Sequence, residues 1–236
     1  FAINTDKFMV KFIESELELL KKEVDEMWNL VYNQMDRARE AVLDMNVELA
    51  QQVIVREKRV NAFELKIDSD VEDLIALYNP VAVELRFALA MLKINTNLER
   101  IGDFAEGIAR FVENERNPLD ASLIEKLRLK EMFDQCLMML KIAQKALEDE
   151  NIEIATSVFA KDNLLDEVNA YVTRVMTEYL SDHPENMLSC LNLVSVFRKL
   201  ERAGDHITNI AEEIVFFIDA KVLKHNGKVD EKYSLK

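Results

Sequence analysis

From Leu17 onward the apolar residues recur every three or four positions: Leu17, Leu20, Val24, Trp28, Val31, Met35, Ala38, Val42 and Met45. That rhythm keeps one face of an α-helix apolar for about eight turns. Asn46 breaks it, and its side chain can cap a second helix running to about Leu77. Asn79-Pro80 predicts the start of a third helix, with Asn as the cap and Pro as the first helical residue, extending to about Glu113. Pro118 separates this half from the next. Ser122 and Glu125 then have the spacing of a capping box. A new seam follows: Leu129, Phe133, Cys136, Leu140, Ala143, Leu147. Asn151 repeats the break at Asn46, and Pro184 repeats Pro80.

The second half echoes the first residue by residue. AVLDMNVELA at Ala41 to Ala50 aligns with ALEDENIEIA at Ala146 to Ala155, an offset of 105, while Glu99 meets Glu201 at an offset of 102. Three residues are therefore missing from the second half, most simply in the turn before its third helix. The fold expected is all-α: two copies of a three-helix unit, six helices in all, packed as tandem antiparallel three-helix bundles. Residues 1–116 form the first repeat, 117–225 the second, and 226–236 a Lys-rich tail that frays into solvent.

Composition agrees with this pattern. In 236 residues there are 4 Gly and 3 Pro, too few to punctuate a turn-rich β fold. Half the residues are hydrophobic and 31% charged, as in a soluble globular chain. The net charge of -14 disfavours contact with phosphate backbones, so no nucleic-acid partner is expected. Cys136 and Cys190 both lie in apolar helical contexts and read as reduced core thiols of a cytoplasmic protein. No apolar run is long enough to span a membrane. A chain opening on Phe1 is expected to lack a few N-terminal residues.

The chemistry-bearing pattern is acidic. Glu99 and Asp103 are four apart and share a helix side, where two carboxylates repel. A chain this acidic holds about eight such pairs by chance, but this one recurs at the equivalent repeat positions as Glu201 and Asp205. A second oxygen-bearing pair, Glu57 and Asn61, recurs as Asp162 and Asp166. Two readings stand side by side. In one, Arg100 pairs with Asp103 and Arg202 with Asp205 in surface ion pairs of a few tenths of a kcal/mol. In the other, the repulsion and the apolar neighbours of Glu57 (Val53, Ile54, Val60) and Asp162 (Val158, Phe159, Leu165) call for a bound cation. The donors are hard oxygens, so Mg, Mn, Fe or an oxygen-ligated Zn are all open. His206 has Phe104 as its counterpart, points away from Asp205 and reads as a surface or structural His. Gly102 and Gly204 sit inside the acidic pairs. A mid-helix Gly costs about 1 kcal/mol relative to Ala, so either a neighbouring helix or an ion approaches closely there, or both glycines descend from one duplicated ancestor.

LERIGDFAEGIA (98–109) and LERAGDHITNIAE (200–212) resemble the paired signatures of the PhoU family, bacterial regulators tied to phosphate transport. The resemblance extends over PVAVELR at 80–86, Lys93-Ile94, REKRVNAFE at 56–64 and KDNLLDEVN at 161–169. It implies two three-helix bundles, each able to carry a metal ion or small cluster on its E-x-x-x-D face. The implied ligands are Glu99 and Asp103, and Glu201 and Asp205. Glu57, Asn61, Asp162 and Asp166 match the family's acidic positions less tightly, and neutral Asn61 leaves the first site one charge short.

The resemblance further implies a cytoplasmic, non-enzymatic adaptor between the ATPase subunit of a phosphate ABC transporter and a sensor histidine kinase. It would restrain uptake and starvation signalling when phosphate is plentiful, reach the membrane only through its partners, and possess surfaces suited to a homodimer. One alternative is a soluble PhoU-like module of a sodium–phosphate cotransporter. Another, a carboxylate-bridged metal oxidase, needs Glu-x-x-His ligands, but Gly102 and Gly204 stand where those His would be.

Overall fold

The structure is a computed structural model and describes residues 2–115 and 120–219. The described residues are helical almost throughout. Helix α1 spans Ala2–Leu43, α2 Val47–Tyr78, α3 Val83–Asn114, α4 Ala121–Lys126, α5 Leu129–Glu148, α6 Ile152–Asp182 and α7 Met187–Asp219; a 3₁₀ turn covers Pro184–Asn186. The long apolar seam of α1 is buried from Leu20 to Val42, as the spacing predicts. Both Asn breaks act as N-caps. Asn46 Oδ1 accepts from Leu49 N–H and Asn151 Oδ1 from Ile154 N–H, each at 3.0 Å.

Three local expectations are corrected. Asn79 does not open α3. It sits in the left-handed region (φ 48, ψ 54) and closes α2, its N–H bonded to Ile75 O, a C-cap role that Asn shares with Gly. Helix α3 starts at Val83, and Glu84 Oε2 reaches back to Val81 N–H at 3.3 Å. The Ser122–Glu125 box is not formed either. Asp120 caps α4 instead, accepting from Ser122 and Leu123 N–H. The first helix of the second repeat is also split in two, giving seven α-helices rather than six among the described residues. The split falls at Arg128, whose backbone is left-handed (φ 60). A non-Gly residue there is strained, and three charge-assisted bonds hold it. Its guanidinium donates twice to Glu131, at 2.7 and 2.9 Å, and once to Glu167 on α6, at 2.7 Å.

The three-residue deficit does not come from the turn. Connectors 79–82 and 183–186 are equally long, so the loss falls within the flanking helices. Pro118, the 116/117 boundary and the tail at 226–236 lie outside the described residues.

Each repeat is an antiparallel three-helix bundle: α2 packs on α1 and α3, and α6 packs on α5 and α7. The repeats meet through α3 against α7 and α1 against α5. Along the first contact Phe87 meets Phe217, Lys93 meets Glu213 and Asn97 meets His206. Residue numbers rise on one helix as they fall on the other, so α3 and α7 are antiparallel. Asp25–Gln144, Trp28–Leu140 and Arg39–Asp134 show the same for α1 and α5. The repeats are thus related by an approximate twofold, with α2 and α6 on the flanks. A continuous core runs through both bundles, with Trp28, Phe133 and Phe197 fully buried.

Candidate functional site

The doubled acids lie where each flanking helix meets the last helix of its repeat, α2 on α3 and α6 on α7. At the first face Glu57 is 5% exposed and Glu99 9%, beside Gln34 of α1 at 1%. Gln34 Nε2 donates to Glu57 Oε2 at 3.1 Å and to Val53 O at 3.3 Å. Glu57 Oε1, Glu99 Oε2 and Gln34 Oε1 are buried without a hydrogen bond. Burial pushes the Glu57 carboxyl up to about 7; the Gln34 bond opposes this, and the charges of Asp103, Glu106 and Glu99 add to it. Glu99 is raised by burial and by Asp103 and Glu64, with Arg100 opposing. Asp103 is half-buried. Arg100 Nη1 stands 3.1 Å from Asp103 Oδ2, as the ion-pair reading expected. Its Nε also lies 3.5 Å from Glu99 Oε2, close enough for attraction but not a hydrogen bond. Asn61 is exposed and stays out of this cluster.

At the second face Asp162 is half-buried and its carboxyl is pushed up to about 7, by burial and then by Asp166, Asp205 and Glu201. Glu201, also half-buried, is raised by burial and by Asp205 and Asp166, with Arg202 and Arg198 opposing. Asp166 and Asp205 form the exposed rim. Among the described residues no ion pair or side-chain hydrogen bond reaches these four carboxylates. The expected close Arg202–Asp205 pair is not formed among the described residues: the Arg202 guanidinium lies over the Phe104 ring, 5.2 Å from its centroid, and its charge still favours the ionised forms of Asp205 and Glu201.

The glycines permit close helix approach. A Cβ on Gly102 would lie 3.1 Å from Val60 Cγ1 and 3.4 Å from Glu57 Oε2. On Gly204 it would lie 2.6 Å from Asp162 Oδ1 and closer still to Leu165 Cδ1. His206 is structural: its Nδ1 is 2.8 Å from Asn97 Oδ1 across the α3–α7 contact. Cys136 and Cys190 are free and buried, and burial beside Asp162 pushes the Cys136 thiol up to about 12.

Hard-oxygen donors line both faces, with orphaned carboxylate oxygens at the first and half-exposed carboxylates beside Gly204 at the second. As the side chains stand, no group of three or more His, Cys, Asp or Glu among the described residues could hold a metal ion, and a bound ion would require side-chain rotation. Glu57, Glu99 and Asp103 could hold an ion at the first face, and Asp162, Asp166, Glu201 and Asp205 at the second. Sequence reasoning missed Gln34, Glu64 and Glu106. Gln34 was detectable, since it lies three residues after Val31 and four before Ala38, inside the apolar seam.

Comparison with known proteins covers nearly the whole chain. The family model described as "PhoU domain" matches twice, at residues 24–112 and 129–214. PhoU homolog 1 of Thermotoga maritima, a phosphate-specific transport system accessory protein, is 30% identical over 214 residues, 89% of this chain and 90% of the relative. The Caulobacter vibrioides homologue of the same description is 32% identical over 224 residues, 91% and 93%. The crystal structure of PhoU from Pseudomonas aeruginosa superposes with a TM-score of 0.80 at 28% identity, covering 88% of this chain and 99% of that one.

Proposed function

This chain belongs to the PhoU family, and from that premise we propose that it is an accessory regulator of phosphate uptake and phosphate-starvation signalling. It acts as a metal-binding adaptor between the ATPase subunit of a phosphate ABC transporter and a sensor histidine kinase, holding both in check when phosphate is plentiful. The observations that carry this reading are the double match of this chain to the PhoU domain and its similarity to proteins named as phosphate-specific transport system accessory proteins. The helical body supports it as well, since rigid helix faces are suited to docking. No described helix is long and apolar enough to cross a membrane; the proposed adaptor acts on the cytoplasmic side and meets the membrane through its partners. In the loaded protein the paired carboxylates would hold divalent or trivalent cations, which would brace α2 on α3 and α6 on α7 by neutralising their mutual repulsion.

Pull-downs with purified chain, transporter ATPase subunit and kinase cytoplasmic portion, at high and low phosphate, test the adaptor role. The proposal expects both partners to be retained, with phosphate altering the amount. Retention of neither at either phosphate level contradicts it.

A further inference from the structure

The break at Arg128 sets the second repeat apart from the first. The equivalent residue of the first repeat is Glu23, and α1 runs through it unbroken. In the second repeat the left-handed backbone of Arg128, held by Glu131 and Glu167, turns α4 off the line of α5. A surface cavity of about 890 Å³ lies beside that turn. Ile124 of α4, Leu129 and Met138 of α5, Leu164 of α6, and Val42 and Met45 where α1 ends all line it. Met138 is 44% exposed, a large apolar side chain open to solvent in the middle of α5. Past Met138 the depression continues into a second of about 420 Å³, so α5 residues from Leu129 to Lys145 border the two. That is about 24 Å of helix at 1.5 Å per residue, a shape that suits an elongated occupant. The cations along this groove are all engaged. Arg128 is paired with Glu131 and Glu167, Lys130 with Asp134, Arg39 with Asp36 and Asp134, and Lys145 with Asp149. Lys141 lies over the Tyr32 ring, 4.7 Å from its centroid. Two acids are not engaged. Asp44 at the α1 end and Glu125 on α4 are exposed at the rim, and neither has an ion pair or side-chain hydrogen bond among the described residues.

We propose that this groove docks a basic amphipathic helix of a partner protein, with the apolar stripe of that helix over Met138 and Met45 and its Lys or Arg side chains reaching Asp44 and Glu125. Shape, lining and charge each select this occupant. An elongated apolar depression along a helix is the setting in which an amphipathic helix lays down its apolar face. Methionine side chains are unbranched and polarizable, and they adapt to such a face. The unengaged rim charges are both acidic, in a chain of net charge -14, so a cationic helix is steered in and an acidic one is repelled. Among the described residues the break belongs to the second repeat alone, so the groove singles out that repeat for docking. The inference goes beyond the regulatory reading: it needs no metal, and it does not depend on which partner carries the helix.

The test is fluorescence anisotropy of labelled peptides, each about 18 residues long to span the groove, titrated with the full chain at low salt. The first peptide is a Leu/Lys amphipathic helix. The second has the same residues scrambled so that no apolar face remains, and the third carries Glu in place of Lys. The first is expected to bind saturably, the other two more weakly by roughly tenfold or more, and added salt to weaken the first. Met138→Asp adds an acid to the chain, yet it is expected to weaken the first peptide by roughly tenfold or more, because it sets a charge under the apolar stripe. Met138→Gln gives a smaller loss and serves if the Asp variant does not fold. Leu65→Asp, on the exposed side of α2, leaves binding unchanged. Asp44→Asn with Glu125→Gln weakens binding by roughly threefold to tenfold and flattens its salt dependence. Equal binding of the helical and scrambled peptides, no binding of either, or Met138 variants that bind like the native chain overturn the inference. A native chain that dimerises in sedimentation and becomes monomeric with Met138→Asp also overturns it, since a second copy would then be the occupant.

Discussion

The glycines within the acidic pairs yield unequal predictions although they occupy the same repeat position. At Gly204 a methyl group would overlap Asp162 Oδ1 at 2.6 Å and press still harder on Leu165, which is fully buried and cannot swing clear. Overpacking of this kind costs about 1–3 kcal/mol, offset by about 1 kcal/mol of gained helix propensity. Gly204→Ala is therefore expected to lose about 1 kcal/mol net. At Gly102 the tightest contact is 3.1 Å to Val60 Cγ1, which a small shift relieves, so propensity wins and Gly102→Ala gains up to about 1 kcal/mol. The two variants should differ by about 1–2 kcal/mol, or roughly 3–6 °C in Tm for a chain of this size. Thermal unfolding by circular dichroism, in chelator at neutral pH, reads the difference. If Gly204→Ala is as stable as Gly102→Ala or more so, α6 and α7 do not need the glycine to approach, and the account of the second cradle is wrong.

Glu57→Gln should stabilise the metal-free protein at pH 8. A carboxyl raised to about 7 from 4.5 gives its full stability below pH 4.5 and loses it as pH rises through 7, so the native chain surrenders up to about 3 kcal/mol that the amide does not. Denaturant melts of both chains at pH 5 and pH 8 isolate the effect from other titrations; equal pH dependence of the two contradicts it. Trp28 is fully buried and donates from Nε1 to Leu140 O at 3.2 Å, across the α1–α5 contact. Trp28→Phe should cost about 2 kcal/mol through the lost bond and the void left by the smaller ring, and a loss below about 0.5 kcal/mol in urea melts would show that this contact does not stabilise the repeat pair.

Much of this architecture was legible because it depends on local chemistry. The α1 seam and the Asn46 and Asn151 caps follow from side chains acting within one turn of their own positions. The raised carboxyl of Glu57 was foreshadowed by Val53, Ile54 and Val60 around it. Asn79 was misread because Asn serves at either end of a helix, and the φ that decides between them leaves no mark in the residue type. The break at Arg128 was invisible for a related reason, since no Gly or Pro announces it and Glu167, part of what holds it, lies on another helix. That Arg202 lies over Phe104 while Arg100 pairs with Asp103 depends on the α3–α7 contact, which no spacing within one helix encodes.

The most direct test of the regulatory claim is alkaline phosphatase activity in phosphate-replete medium, in a strain lacking this protein. The strain would be complemented with the native chain, or with Glu99, Asp103, Glu201 and Asp205 all changed to Ala, at equal abundance. The account predicts high phosphatase without the protein, repression by the native chain, and failure of the fourfold variant to repress. Phosphatase that stays low in the strain lacking the protein would contradict the claim that this chain restrains phosphate-starvation signalling.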